Sequence, residues 1–229
     1  MSLAERYRSV ANRVAVAAQS ANRDPSDIEL IVVTKNHPAQ LVIDLYALGH
    51  RAFGENRDQE AKPKAAELAN SGLLGATWHF VGQLQSNKVK SVLEYASCIH
   101  SIDRPSLVKE LGKQLEKTGK SVSGFIELNL TEDPNRGGVA EPDLLPLAES
   151  LLELPGIELL GVMAVASLGG KPEQDFELAL KLSQRLQTIA PKANKISMGM
   201  SDDFEIAISV GATHIRVGSA ITGPRPNNA

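Results

Sequence analysis

Short apolar runs alternate with amphipathic helical patterns along almost the whole chain. The apolar runs are rich in β-branched and aliphatic residues, which is typical of strands that are buried on both faces. The segments between them repeat apolar residues at spacings of three and four, which is typical of helices with one buried face. Eight strands are predicted, near residues 30, 52, 79, 99, 127, 162, 196 and 215, and each but the last is followed by a helix.

Eight strand–helix units in 229 residues indicate an α/β fold, a single (β/α)8 TIM barrel. An extra amphipathic helix precedes the first strand, and we expect it to close the bottom of the barrel. An open, doubly wound sheet is the alternative, but its first turn usually carries glycines. The turn here is Lys35-Asn36-His37-Pro38, without glycine. No linker-like segment divides the chain, so we predict one domain over residues 1–229.

Composition and charge exclude several classes of protein. A formal net charge of −3 gives no basic excess for nucleic acid or an anionic membrane. No apolar stretch approaches the roughly 20 residues that span a bilayer. The single cysteine, Cys98, cannot form an internal disulfide and is expected to be a small buried side chain. Together with an amino terminus that does not resemble a signal peptide, this favours a soluble cytoplasmic protein.

Lys35 directly follows the first apolar run, Ile31-Val32-Val33-Thr34. Burial disfavours the ammonium form of lysine and favours the neutral amine, which attacks carbonyl groups. Lys35 is therefore either an imine-forming lysine or a lysine that leaves the sheet and points into water. In a barrel, the first alternative gains weight because active sites lie at the carboxyl ends of the strands.

Two glycine-containing turns follow the seventh and eighth predicted strands, where barrels often bind phosphate. Residues 197–203 lead straight into a helix, so free backbone N–H groups and the Ser201 hydroxyl would form an anion cradle. Gly218 and Ser219 form the second turn. Arg216 is predicted to point into the barrel mouth, where a carboxylate or a ligand atom must meet its charge.

An imine-forming lysine, a phosphate cradle and an inward arginine together describe a site for pyridoxal 5′-phosphate. The lysine would take the aldehyde, the cradle the phosphate, and the arginine would donate to the ring nitrogen.

Five segments resemble the pyridoxal phosphate homeostasis protein family, which is related to the amino-terminal domain of alanine racemase. The likeness runs nearly from end to end of the chain, and the matching segments are residues 32–35, 53–56, 78–88, 197–203 and 215–219.

The resemblance implies that Lys35 carries pyridoxal phosphate as an internal aldimine, a Schiff base. It implies that Ser201, Gly218 and Ser219 hold the phosphate and that Arg216 faces the pyridine nitrogen. It also implies three further residues that line the pocket: Asn56, His79 and Met163. The sequence departs from the family pattern at two places, both at the edge of the expected pocket. One is the turn 36–38, and the other is Ser219, where the family frequently has threonine.

The arginine at the ring nitrogen also bears on function. Its pKa is too high to protonate the pyridine nitrogen, so the ring would be a weak electron sink. By resemblance, racemases on this barrel carry a second, β-rich domain, and this chain ends at Ala229. We therefore expect a non-catalytic, monomeric carrier that keeps pyridoxal phosphate in homeostasis and passes it to apo-enzymes.

Two other functions are compatible with the same residues. A pyridoxal-phosphate-dependent racemase or decarboxylase of amino acids would need completion by another chain, or by His79 or Tyr46. A cofactor-free barrel aldolase would use Lys35 as its Schiff-base lysine on a phosphorylated sugar.

Overall fold

Eight parallel strands form a closed barrel in which each strand pairs with the next and the last returns to the first. The computed structural model describes residues 1–131, 133, 136–167 and 169–224. The strands are Glu29–Val33 (β1), Ala52–Glu55 (β2), Thr77–Phe80 (β3), Cys98–Ile102 (β4), Val122–Glu127 (β5), Ile157–Met163 (β6), Lys195–Ser197 (β7) and His214–Val217 (β8). The predicted (β/α)8 barrel is confirmed, and the open sheet is excluded. That residues 1–229 form one domain stays a prediction, since part of this range lies outside the described residues.

Helices surround the barrel and turn their apolar faces towards the strands. In the described ranges they are Leu3–Ser20 (α1), Ala39–Ala47 (α2), Asp58–Asn70 (α3), Val89–Val92 (α4), Pro105–Thr118 (α5), Leu144–Leu152 (α6), Pro172–Leu186 (α7), Phe204–Val210 (α8) and Ser219–Thr222 (α9). The last of these, which has four residues, was not predicted. No helix in this part of the chain has the length and apolarity needed to cross a bilayer.

The amino-terminal helix lies along the flank of the barrel and not across its bottom. Near its start, Nε of Arg6 donates to the carbonyl of Ile221, 2.7 Å away in α9. Beyond its end, Nη1 of Arg23 donates to the carbonyl of Ala212, 2.7 Å away and just before β8. The helix therefore spans the height of the barrel beside α8. The expectation that it closes the bottom is wrong, because its apolar stripe runs the length of the helix and needs an equally long surface.

The fifth strand lies slightly earlier in the chain than predicted. It was expected near residue 127, and it occupies Val122–Glu127. Oδ1 of Asn129 accepts hydrogen bonds from the backbone N–H of Thr131 at 2.9 Å and from its hydroxyl at 2.8 Å. This local turn competes with strand pairing and stops the strand before Asn129.

Helix α5 begins without a side-chain cap. The residue at its cap position is Arg104, which makes no such hydrogen bond. Asp103 pairs with the guanidinium of Arg104. Pro105 opens the helix and has no N–H to satisfy, so one reason for a cap disappears.

Candidate functional site

A cavity of about 440 Å³ opens at the carboxyl ends of the strands, a size usual for small-molecule sites. The turns after β1, β2, β7 and β8 contribute most of its wall. Six of the eight predicted site residues line it: Lys35, Asn56, Ser201, Arg216, Gly218 and Ser219. The barrel thus brings together residues from opposite ends of the chain, such as Lys35 and Ser219.

The other two predicted residues, His79 and Met163, lie deeper in the barrel and do not line the cavity. Nδ1 of His79 is 3.0 Å from Nε2 of His100. Met163 packs in a buried cluster with Cys98 and Phe125. The prediction that Cys98 is buried is therefore confirmed. His79 and Met163 were expected at the pocket wall, but their side chains are used in the interior packing. Their contact with a cofactor stays a prediction.

Lys35 is partly exposed in the cavity wall, one residue beyond Thr34 and two beyond the end of β1. Its Nζ has no hydrogen bond or ion pair to any residue in the described ranges. The predicted position at the mouth of the barrel is therefore confirmed, and the amine is not tied up by a protein carboxylate.

A second lysine, Lys64 of α3, braces the turn that carries Lys35. Its Nζ donates to the carbonyl of Thr34 at 2.9 Å and to Oε1 of Glu55 at 2.6 Å. The hydroxyl of Thr34 donates to the same carboxylate oxygen at 2.6 Å. All three side chains are buried, so the pair is shielded from solvent. Burial raises the pKa of Glu55, and Lys64 opposes that shift.

Sequence reasoning missed Lys64, although a signal was present. It falls between Ala61 and Leu68 at helical spacings of three and four, on the buried face of α3. A lysine on an apolar stripe requires a buried partner, and Glu55 at the end of the neighbouring strand provides it. Lys64 therefore differs from Lys35, because it is buried and paired where Lys35 is open to the cavity.

Ser201 lies where two backbone N–H groups converge. Its Oγ accepts from the N–H of Gly218 at 3.3 Å and of Ala220 at 3.4 Å, and lies 3.4 Å from Oγ of Ser219. The preceding turn needs glycine at Gly199, where φ is +93° and a Cβ would come within 2.6 Å of a side chain of α8. The two predicted turns thus meet at one point in the cavity and present N–H and hydroxyl donors together.

Asn56 is held by a close approach of two turns. A Cβ on Gly82 would lie 2.2 Å from the backbone oxygen of Asn56, so only glycine fits there. Oδ1 of Asn56 is buried and has no hydrogen-bond partner in the described part of the chain. An unpartnered buried oxygen is costly, and here it belongs to a side chain at the wall of the cavity.

Arg216 points inwards, as predicted, and is 5% exposed. Nη1 donates to the carbonyl and the hydroxyl of Ser197 at 2.8 and 2.6 Å, and Nη2 to the carbonyl of Ala164 at 2.8 Å. Neutral protein oxygens therefore satisfy these N–H groups, and the carboxylates expected to meet the charge are those of Glu127 and Asp203, which favour the charged guanidinium. Burial lowers the pKa of Arg216 to about 10, so the guanidinium stays charged at neutral pH.

Glu127, at the end of β5, is a titratable group beside this site that sequence reasoning did not single out. Burial, reinforced by the negative charge of Asp103, raises its pKa from 4.5 to about 7. The positive charges of Arg216 and Arg136 act in the opposite direction.

We expect Glu127 to make stability depend on pH near neutrality. Because its folded pKa is raised, its contribution is fully present below pH 4.5 and is lost as pH rises through about 7. We compare the free energy of unfolding of the parent with that of Glu127→Gln. The difference, parent minus variant, should fall by on the order of 2 kcal/mol between pH 5 and 8. Urea titrations of both proteins at each pH measure this difference, and a flat difference would contradict the assignment.

Comparison with known proteins places the chain in a family. The family model described as the alanine racemase N-terminal domain matches residues 7–226. The pyridoxal phosphate homeostasis protein of Pseudomonas aeruginosa is 37% identical over 227 residues, covering 99% of this chain and 97% of that protein. This chain belongs to the pyridoxal phosphate homeostasis protein family. The resemblance of the five segments is therefore confirmed over nearly the full length.

Solved structures agree with this family. PipY of Synechococcus elongatus PCC7942 covers 97% of this chain and 100% of its own, both without PLP (TM-score 0.85, 37% identity) and with PLP bound (TM-score 0.84, 36% identity). Alanine racemase of Corynebacterium glutamicum matches 97% of this chain and 62% of its own at a TM-score of 0.66. At 18% identity, this match shows a shared fold alone.

Proposed function

We propose that this family member binds pyridoxal 5′-phosphate through Lys35 and carries the cofactor without catalysing a reaction of its own. One observation carries the proposal. A lysine amine with no partner among the described residues, a convergence of N–H and hydroxyl donors and a buried guanidinium share a single cavity. A relative at 36% identity has been solved with PLP bound, and curated relatives are named for its homeostasis.

The cofactor supplies an aldehyde, which condenses with a primary amine and releases water. Lys35 provides that amine, and its Nζ must lose a proton before it can attack. The hydrogen bonds of Lys64 and Glu55 to Thr34 hold the backbone directly before Lys35. The Cα of Lys35 therefore has a fixed position at the edge of the cavity. Because the backbone is already fixed, less conformational entropy is lost when the lysine side chain becomes ordered.

Ser201 and the N–H groups of Gly218 and Ala220 would hold the phosphate, together with the hydroxyl of Ser219. The N–H groups already converge on one oxygen, Oγ of Ser201, and phosphate oxygens accept the same kind of bond. The amide of Asn56, with its unpartnered oxygen, is a further group available to the ligand. The donors in this part of the cavity therefore fit a phosphorylated ligand.

Arg216 supports carriage over catalysis. A guanidinium donates hydrogen bonds but gives up its proton with difficulty, so it would leave the ring nitrogen unprotonated. An unprotonated ring withdraws electrons weakly and discourages carbanion chemistry. We propose that apo-enzymes that use the cofactor are the recipients, and that the protein acts as a monomer in the cytoplasm.

An amino-acid racemase or decarboxylase is the alternative function, and it needs an acid or base at the cavity. Tyr46 does not supply one, because its hydroxyl donates to the carbonyl of Leu74 at 2.6 Å, away from the cavity. His79 lies in the barrel interior. Glu127, with its pKa raised to about 7 beside Arg216, is the observation that keeps this alternative open.

The test is an absorption spectrum of the purified protein loaded with pyridoxal phosphate, before and after borohydride reduction. We expect a visible band, loss of that band on reduction, and a labelled peptide that contains Lys35. A colourless protein that does not take up the cofactor would favour the aldolase. Incubation with D- and L-amino acids then separates carrier from enzyme, because sustained turnover above that of free cofactor would refute carriage.

A further inference from the structure

A column of polar side chains crosses the inside of the barrel beneath the cavity. It begins at Glu29, the first residue of β1, and ends at Arg216 in β8. Between them lie His79, His100 and Ser197, from three other strands, and all three are buried. Buried polar groups are costly unless they are hydrogen-bonded, so their alignment calls for an explanation.

Successive members of the column are in contact. Nη1 of Arg216 donates to Oγ of Ser197 at 2.6 Å, and that oxygen is 2.9 Å from Nδ1 of His100. Nε2 of His100 is 3.0 Å from Nδ1 of His79. Nε2 of His79 is 3.5 Å from Oε1 of Glu29, at the limit of hydrogen-bond length. That nitrogen is buried and makes no hydrogen bond within the described ranges, so the contact with Glu29 is the weakest link of the column.

The charges at the two ends give the column a direction. A guanidinium only donates and a carboxylate only accepts. His100 is fully buried, and burial holds its pKa well below the ordinary value, so its ring is neutral and carries one proton. The hydroxyl of Ser197 accepts from Arg216, so its own hydrogen is available for donation to Nδ1 of His100. His100 then donates from Nε2 to His79, and His79 turns its Nε2–H towards Glu29.

The opposite direction leaves groups unsatisfied. His100 would donate from Nδ1 to Ser197, and the hydroxyl hydrogen of Ser197 would then have no acceptor in the column. His79 would have to donate from Nδ1, which would leave a lone pair facing Glu29 unless the ring took up a second proton. When Ser197 donates to His100 and His100 donates to His79, the hydroxyl hydrogen of Ser197 has an acceptor and His79 needs no second proton.

We propose that His79, His100 and Ser197 are positioning residues that hold Arg216 in place for the ring nitrogen of the cofactor. With its hydrogen committed to His100, the hydroxyl of Ser197 always offers a lone pair to the guanidinium. The carboxylate of Glu29 accepts at the far end of the column, while the carboxylates whose negative charges act on Arg216 itself are those of Glu127 and Asp203. This inference rests on the proposed function, because it concerns the group that would meet the cofactor.

A metal site is the competing explanation for the same residues. One ligand atom each from His79, Cys98 and His100 lie within 4.8 Å of one another. However, the contact between His79 and His100 already uses the two facing nitrogens. Burial also raises the pKa of the Cys98 thiol, which opposes the thiolate that a metal ion requires. The hydrogen-bonded column therefore accounts for the cluster better.

Nuclear magnetic resonance of the protein prepared without cofactor tests the direction of the column. Long-range ¹H–¹⁵N correlations distinguish the two neutral histidine tautomers and the doubly protonated ring. We expect the Nε2–H tautomer at both His79 and His100. An Nδ1–H tautomer at His100, or a doubly protonated His79, would overturn the proposal.

Variants of His100 test the link to Arg216. His100→Phe keeps a ring but removes the acceptor for Ser197, and we expect about tenfold faster loss of pyridoxal phosphate and a shifted visible maximum. His100→Gln retains one acceptor and one donor and should restore both properties to within about twofold of the parent. If His100→Phe does not fold, Ser197→Ala breaks the same link with a smaller change in volume and should give the same result.

The matched control is His50→Phe. His50 is also buried, but its ring nitrogens contact the hydroxyl of Tyr7 and the carbonyl of Ala52, outside the column. We expect this variant to lose thermal stability without a spectral shift. Equal effects of His100→Phe and His50→Phe would overturn the proposal. If the parent takes up no cofactor, the proposed function fails, and the tautomers still decide the direction of the column.

Discussion

Replacement of Lys35 by alanine is expected to remove the visible absorption band of the loaded protein and its labelling by borohydride. The side chain supplies the amine that bonds to the aldehyde, and its Nζ has no competing partner among the described residues. The phosphate donors remain, so weak binding should persist. We expect the affinity for pyridoxal phosphate to fall on the order of 100-fold, equivalent to about 3 kcal/mol.

Dialysis followed by absorption spectroscopy measures this loss. The matched control is Lys195→Ala, because Lys195 is an exposed lysine that also lies on a barrel strand, but at the amino end of β7. That variant should retain its colour. If Lys35→Ala remained as yellow as the parent, Lys35 would not be the attachment point. Lys64 would then be the first lysine to map, since it lies beside the same turn.

Replacement of Lys64 by methionine is expected to destabilise the fold strongly. The change leaves the carboxylate of Glu55 buried without its cation, and breaking a buried pair in this way costs about 3–5 kcal/mol. It also removes the hydrogen bond to the carbonyl of Thr34, which holds the turn that carries Lys35. We therefore expect the melting temperature to fall by about 10 °C and the retention of cofactor to weaken.

Thermal unfolding of three variants distinguishes the effect of the buried pair Lys64–Glu55 from that of an exposed pair on the same helix. Lys62→Met, on the same helix, breaks an exposed ion pair with Glu94 of 2.7 Å and should leave the melting temperature almost unchanged. The double variant Glu55→Gln with Lys64→Met removes both charges and should recover part of the loss. Equal destabilisation by Lys64→Met and Lys62→Met would show that the buried pair stabilises the fold no more than the exposed pair does.

Local patterns were enough to predict the barrel and the rim on which the site lies. Eight apolar runs alternated with helical periods, and a parallel barrel is a fold that can bury both faces of such strands. The end of a strand is a local feature as well, so Lys35, Asn56 and Ser201 could be placed at the mouth. The alternation in β8 correctly turned Arg216 inwards. Each of these predictions required only the neighbouring residues.

Tertiary structure decided whatever depended on partners that are distant in the chain. The placement of α1 depended on contacts with helices that are distant in the chain, such as that of Arg6 with Ile221 in α9. His79 and Met163 left the cavity wall because other strands supplied partners deeper inside. Lys64 met Glu55 because a helix packs on its strand, and Arg216 was satisfied by the oxygens of Ser197 and Ala164.

The physical reason for this division is the range of the interactions. Hydrophobic period and turn chemistry act over a few residues, so the chain itself determined the strands, the rim and the lysine on it. Burial and charge compensation act between elements that only the closed barrel brings together. The tertiary structure therefore decided which polar groups face the cavity, which support one another beneath it, and how the guanidinium of Arg216 is held.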